Sequence, residues 1–154
     1  MTASLDTIDI AKVAARAADE KLATNIAVID VSNVMDVAEV FVLACADNER
    51  QVRAIVEEIE DELTKLGHEP KGREGNRENR WVLLDYGMLV IHVQRNIERD
   101  FYGLDRLYQD CPLIDVVGIE TMVRPEDWAS EVDIRTAESL DDIPLAEPEP
   151  QEEF

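Results

Sequence analysis

Trp81-Val82-Leu83-Leu84-Asp85-Tyr86-Gly87-Met88-Leu89-Val90-Ile91-His92-Val93 is the stretch whose reading decides the fold. Two apolar runs, Trp81 to Asp85 and Met88 to Val93, flank Tyr86-Gly87, where glycine supplies the positive φ of a tight antiparallel hairpin. Side chains alternate along a strand, so Trp81, Leu83 and Asp85 point one way and Val82, Leu84 and Tyr86 the other. With Val82 and Leu84 toward the core, Trp81 and Leu83 make an outward patch edged by Asp85. Protein interfaces concentrate such a desolvated aromatic framed by charge. A covering helix that buries Trp81 is the competing reading of the same alternation.

Upstream of the hairpin the apolar period switches between helix and strand. Ile10, Val13, Ala14, Ala17 and Ala18 form one helical stripe, with Asp6 or Thr7 placed to cap it and an end near Leu22. Ile26 to Val31 and Val40 to Cys45 are short and nearly all apolar, as inner strands covered on both faces should be. Asn48 caps a helix with Gln51 at the capping-box position. Val52, Ile55, Val56, Ile59, Leu63 and Leu66 repeat at three and four until Gly67 stops it. Glu69 to Arg80 is polar, carries Gly72 and Gly75, and reads as a mobile loop. Downstream, a last helix starts near Ile97, aligns Phe101, Leu104, Leu107 and Tyr108, and stops at Pro112. The order αββα, loop, ββα implies an α/β layer fold with one mixed sheet and helices packed on it.

Composition bounds what this fold can do. The chain has 154 residues, two cysteines, and 35 acids against 15 lysines and arginines, a formal charge of -20. Long-range attraction to nucleic acid or to an anionic membrane is thereby excluded as the main binding mode. A protein or a cation is the expected partner. The first twenty residues have no apolar leader core and no apolar stretch reaches membrane-spanning length, so a soluble, cytoplasmic protein is expected. After Gly118 twelve acids face two arginines, which places half of the net charge there. We therefore divide the chain into a domain over 1–118 and an acidic, largely disordered tail over 119–154, a solubilising appendage or else a charge mimic or partner hook anchored by Trp128.

Catalytic signatures are mostly missing. The six glycines never fall at dinucleotide-loop or phosphate-loop spacing. His68 and His92 lack zinc-site spacing, and His92 reads as a satisfied strand histidine rather than a base. Cys45 and Cys111 have no neighbouring run of Lys or Arg in the sequence and read as packing residues. Adjacent carboxylates such as Glu60, Asp61 and Glu62 carry little information in so acidic a chain. No motif calls for a cofactor or a metal.

Seven segments then add up. Asp30-Val31-Ser32; Glu39-Val40-Phe41-Val42-Leu43; Asn48-Glu49-Arg50-Gln51-Val52; Glu74-Gly75; Trp81 to Gly87; Val90-Ile91-His92-Val93; and Arg99-Asp100-Phe101-Tyr102 occur in this order between Ile8 and Gly118. In order and spacing the chain resembles the Iojap-type ribosomal silencing factors. It departs where the family usually has Asp-Tyr at Glu39-Val40, Asp at Met88, Glu at Asp105 and Trp at Tyr108. The resemblance implies a mixed sheet with helices, related to nucleotidyltransferases but without their catalytic pair. It also implies a protein that binds the large ribosomal subunit through its fourteenth protein and sterically blocks subunit joining when nutrients are short. Family members are often homodimers when free. Carried over, the partner-facing positions are Trp81, Leu83, Asp85 and Tyr86, with Glu39, His92, Arg99 and Tyr102 as further candidates.

An acidic body must dock on a basic protein rather than on RNA, and Asp85 beside an apolar patch suits an Arg or Lys there. The loop with Lys71, Arg73, Arg77 and Arg80 is the one locally basic region, offset by Glu69, Glu74 and Glu78. It makes a minor ribosomal RNA contact or is simply solvated. Two other classes stay open on the residues alone. One is a divalent-ion-dependent nucleotidyl- or phosphotransferase using Asp30, Asp85 or Asp115; the other is an acidic adaptor that binds through its tail.

Overall fold

The computed structural model describes residues 3–75 and 80–122. They form α1 (Leu5–Glu20), β1 (Thr24–Asp30), β2 (Val40–Ala46), α2 (Glu49–Lys65), β3 (Gly72–Gly75), β4 (Trp81–Asp85), β5 (Leu89–Arg95), α3 (Asn96–Tyr102) and α4 (Leu104–Leu107). The strands make one mixed sheet in the order β1-β2-β5-β4-β3. Only the central β2–β5 pair is parallel, running from Val40↔Leu89 to Ala46↔Arg95; the other three pairs are antiparallel. The expected α/β class and the four apolar strands are present.

Both faces of the sheet are covered. On one face Ile26, Val28, Val40, Val42, Ala44, Val82, Leu84, Ile91 and Val93 pack under α1 and α2. These helices contribute an alanine-rich stripe (Ala11, Ala14, Ala15, Ala18) and Val52, Ile55, Val56, Ile59 and Leu63. On the other face Ile29, Phe41, Leu43, Trp81, Leu83 and Val90 pack with Val31, Met35 and Ala38, and with Leu104, Tyr108 and Cys111. This second layer overturns the outward patch of the hairpin. The alternation is as read, but Trp81 is 0% exposed and Leu83 1%, because the segments around Met35 and Tyr108 fold over their face. A strand's own periodicity shows which residues share a face, not what covers it.

Local chemistry explains the boundaries. The Asn48 side chain accepts from Gln51 N–H at 2.9 Å, the cap expected for α2, and Gly67 follows its end at φ +90°. The cap of α1 is Ser4 rather than Asp6 or Thr7: its hydroxyl accepts from Thr7 N–H at 3.3 Å and lies 2.9 Å from the Thr7 hydroxyl. The turn at Tyr86 is closed by Tyr86 N–H donating to Leu89 C=O at 2.8 Å, with Gly87 at φ +91°. Asp85 braces it by accepting Gly87 N–H on Oδ1 at 2.8 Å. Two expectations fail for physical reasons. The polar loop over 69–80 contains the edge strand β3, held by β4 rather than by its own propensity. The single last helix is broken at Gly103, whose left-handed φ of 63° ends α3 and opens α4, so helix stops at Leu107, short of Pro112. The expected tail beyond Met122, with Trp128, and the loop residues Arg77 and Glu78 lie outside the described residues.

Two carboxylates tie the N-terminus to the sheet. Asp30 accepts Ala3 N–H on Oδ2 at 3.0 Å, and Ser32 N–H and hydroxyl on Oδ1 at 3.0 and 2.6 Å. Glu39 Oε1 accepts both Ser4 N–H and its hydroxyl at 2.9 Å. Burial alone would raise the Asp30 pKa, but the bonds from Ala3 and Ser32 together outweigh it and the net direction is down. The Ser4 backbone bond is the largest influence on Glu39, and its pKa is also lowered.

Because both carboxylates titrate lower in the folded chain than in the unfolded one, their stabilisation is complete at neutrality. It is lost as pH falls from about 5 through the carboxylate range. Asp30→Asn should flatten this acid limb in urea titrations run at successive pH values. Trp81→Ala should lower stability by about 3–5 kcal/mol, the cost of truncating a large buried aromatic, with a clear fall in melting temperature.

Candidate partner-binding surface

The eight residues singled out from the sequence divide into an interior group and a rim. Trp81, Leu83, His92 and Arg99 are interior, at 4% exposure or less. Trp81 Nε1–H donates to His92 Nδ1 at 3.1 Å, which places the histidine proton on Nε2, an atom with no partner among the described residues. Burial first, and the nearby Arg99 charge second, push the His92 pKa down to about 3, so the ring is neutral at physiological pH. Phe41 meets the ring edge-on at a centroid distance of 5.1 Å, and Tyr108 packs on Phe41 at 5.2 Å. Arg99 Nη1 donates to Cys45 Sγ at 2.9 Å and Nη2 to Met122 Sδ at 3.3 Å. No local pattern signals this pairing, since Cys45 and Arg99 are neighbours only across β2, β5 and α3. None of these four side chains can touch a partner without first moving the layer above it.

The rim lies at the end of the sheet where β1 finishes and the β4–β5 turn sits. Glu39, Asp85 and Tyr86 are half-buried there, beside Val37 at 40% exposure and Met88 at 44%. Two bonds lock it: Glu39 N–H and Val40 N–H both donate to Met88 C=O, at 2.7 and 3.1 Å. The link between β1 and β2 and the turn between β4 and β5 are therefore one rigid element. The Tyr86 ring packs on the α1/α2 core. Its hydroxyl has no partner among the described residues, and burial, followed by the charges of Glu60 and Glu69, pushes its pKa up to about 12. Val37 and Met88 were not singled out from the sequence; an exposed methionine directly after the turn glycine was the available signal. Tyr102 belongs to α3, and its side chain lies outside the described residues.

Among the described residues the carboxylates assemble no metal site. Asp30 in β1 and Asp85 in β4 are three strand spacings apart, about 14 Å, too far to share one divalent ion. Among the described residues no three His, Cys, Asp or Glu side chains converge on a point. Surface depressions of about 430 and 350 Å³, one lined by Asp19, Thr24, Glu120 and Met122 and one between α1 and α2, contain none of the eight residues. No helix among the described residues is long and apolar enough to cross a membrane. The rim brings two exposed apolar side chains, Val37 and Met88, to the same end of the sheet as the half-buried carboxylates Glu39 and Asp85.

Comparison with known proteins agrees on one family. The family model described as "Ribosomal silencing factor during starvation" matches residues 4–141. The ribosomal silencing factor of Bacillus subtilis is 40% identical over 107 residues, covering 70% of this chain and 91% of that protein. The chloroplastic Iojap protein of Zea mays is 28% identical over 102 residues, covering 66% of this chain and 44% of that protein. Among solved structures, a Chromobacterium violaceum protein matches with a TM-score of 0.65 at 26% identity, over 80% of this chain and 98% of that one. One from Bacillus halodurans matches with a TM-score of 0.62 at 29% identity, over 71% and 99%. With its motifs in order, its mixed sheet matched and its length largely spanned by the family model, this chain belongs to the ribosomal silencing factor family.

Proposed function

We propose that this protein represses translation by binding the large ribosomal subunit at its fourteenth protein and excluding the small subunit from that face, in the cytoplasm and without catalytic turnover. The family match over residues 4–141 is the observation that carries the reading. Three physical features support it. A chain of formal charge -20 is repelled by ribosomal RNA and needs a basic protein on which to settle. The rim at Val37, Glu39, Asp85, Tyr86 and Met88 presents apolar side chains between carboxylates, complementary to an apolar surface edged by Arg or Lys. Its two loops are already fixed by the bonds to Met88, so docking orders little and costs little conformational entropy. Silencing then needs only volume, since a folded domain seated between two surfaces that must meet prevents their meeting. Trp81, Leu83, His92 and Arg99 serve this reading from beneath, by holding β4 and β5 in the register that shapes the rim.

The experiment is light-scattering reassociation of purified subunits, with the large subunit preincubated with this protein. Loss of the joined-particle signal together with cosedimentation on the large subunit alone is expected; undiminished joining without cosedimentation at low salt overturns the reading. Asp85→Asn keeps an oxygen for Gly87 N–H while removing the charge. It should slow association a few-fold at low salt, with the difference vanishing at high salt and the melting temperature unchanged. Mg²⁺-dependent nucleotide turnover that disappears in this variant would instead assign the chain to the transferases.

A further inference from the structure

The chain closes the β1 edge of the sheet with its own later segment, which runs up to α3. Asp30 N–H donates to Pro112 C=O at 2.9 Å, Ile114 N–H to Val28 C=O at 2.8 Å and Met122 N–H to Ile26 C=O at 2.8 Å, while Leu113 bridges Ile29. Arg99 Nη2 reaches Met122 Sδ at 3.3 Å, so this segment meets α3 through the helix's buried side. The outer side of the same helix is apolar. Ile97 is 67% exposed and Phe101 78%. Four residues apart on a helix, these two side chains are neighbours on one face, and Arg99 points away from it. The expected single helix aligned Phe101 with Leu104 and Tyr108. The left-handed turn at Gly103 separates them, so Leu104 and Tyr108 enter the second layer while Phe101 stays outside.

We propose that the occupant of this face is the stretch of the same chain that follows Met122, with Trp128 seated on Ile97 and Phe101. Length and position argue for it. Six residues lead from Met122 to Trp128, a reach of up to about 20 Å, and a helix with its side chains is about 10–12 Å across, so the outer face of α3 falls within that span. Chemistry argues for the same residue. Trp128 is the one aromatic side chain over 123–153, and aromatic rings gain most from packing on another ring and an aliphatic neighbour. Charge selects this stretch as well. Val123 to Asp127 carries two acids against Arg124, whereas 129–154 carries nine acids against Arg135, so the part leading to Trp128 is the part an acidic body repels least. The family match also runs through Trp128 to residue 141, well past the segment that closes β1. Because the connection is covalent, the effective concentration is on the order of millimolar, enough to populate a small apolar contact that two separate chains of formal charge -20 would not make. α3 follows the end of β5 that lies away from the rim, so a docked Trp128 holds the start of the acidic stretch clear of the rim. This inference is independent of the ribosomal reading, because the rim takes no part in it.

Fluorine NMR of the full chain labelled with 5-fluorotryptophan tests it. The chain has two tryptophans, Trp81 and Trp128, and Trp128→Phe assigns their resonances. The Trp128 resonance should show a solvent isotope shift, H2O against D2O, about half or less of that of free 5-fluorotryptophan, because docking buries much of the ring. In Ile97→Ser/Phe101→Ser the shift should rise to the free value. The Trp81 resonance should stay in place, which separates loss of docking from a folding fault. A second measurement leaves the helix untouched: Trp128→Ser should move the Ile97 methyl resonance by removing the ring current above it. A fully exposed Trp128 in the original chain, protection that survives the double variant, or an Ile97 methyl indifferent to Trp128→Ser would each overturn the proposal. Protection that appears only as the protein concentration rises would overturn it too, by assigning the face to a second copy.

Discussion

The parallel pairing of β2 with β5 is the constraint on which the rest of this structure depends. Parallel neighbours cannot be joined by a tight turn, so the chain must cross the sheet between Ala46 and Leu89. It does so with α2, which covers one face beside α1, and then with β3 and β4, which extend the sheet and return beside β5. All seven residues of β2 are buried, so the strand has no solvent face and needs cover on both sides. The segment around Met35 and the turn of chain from Leu104 to Cys111 supply the second cover. The burial of Trp81 in β4 is thus a consequence of the cover that β2 needs, two positions away in the sheet.

That dependence explains what could and could not be read from the sequence. α2 was legible because its cap, its three-and-four repeat and its terminal glycine all agree. The inner strands were legible because unbroken β-branched runs leave few alternatives. β3 was not: Gly-Arg-Glu-Gly has no strand propensity, and it is a strand only because β4 offers it hydrogen-bonding groups. The face of Trp81 was read correctly and its environment was not, since the cover comes from residues beyond Gly103 whose return over the sheet no local period reveals. Of the candidate site, Glu39, Asp85 and Tyr86 lie where a partner can reach them. The segments that carry the family resemblance mark interior and surface positions alike, so resemblance alone could not separate the two.

The interior polar residues bear on specificity as much as on stability. A tryptophan indole held to a histidine, and a guanidinium held between a cysteine and a methionine sulfur, are directional contacts inside an otherwise apolar layer. Apolar packing tolerates sliding; a donor that must find its acceptor does not. Trp81 and His92 span β4 and β5, while Arg99 spans α3 and β2, so these contacts fix the hairpin and the helix in one register relative to the sheet. The rim is the far end of the same hairpin, and it inherits that rigidity.

The closing of the β1 edge also decides where anything attached to the C-terminal side can begin. Met122 is bonded beside Ile26, four strand residues from Asp30 and the rim end, about 13 Å away along the sheet. A fluorophore, an affinity handle or a fused reporter joined directly at Met122 starts on the side of the domain opposite the proposed docking rim. A label placed at Met122 itself leaves the rim facing solution, whereas one at Ala3 or Ser4 sits beside Asp30 and Glu39, on the rim itself.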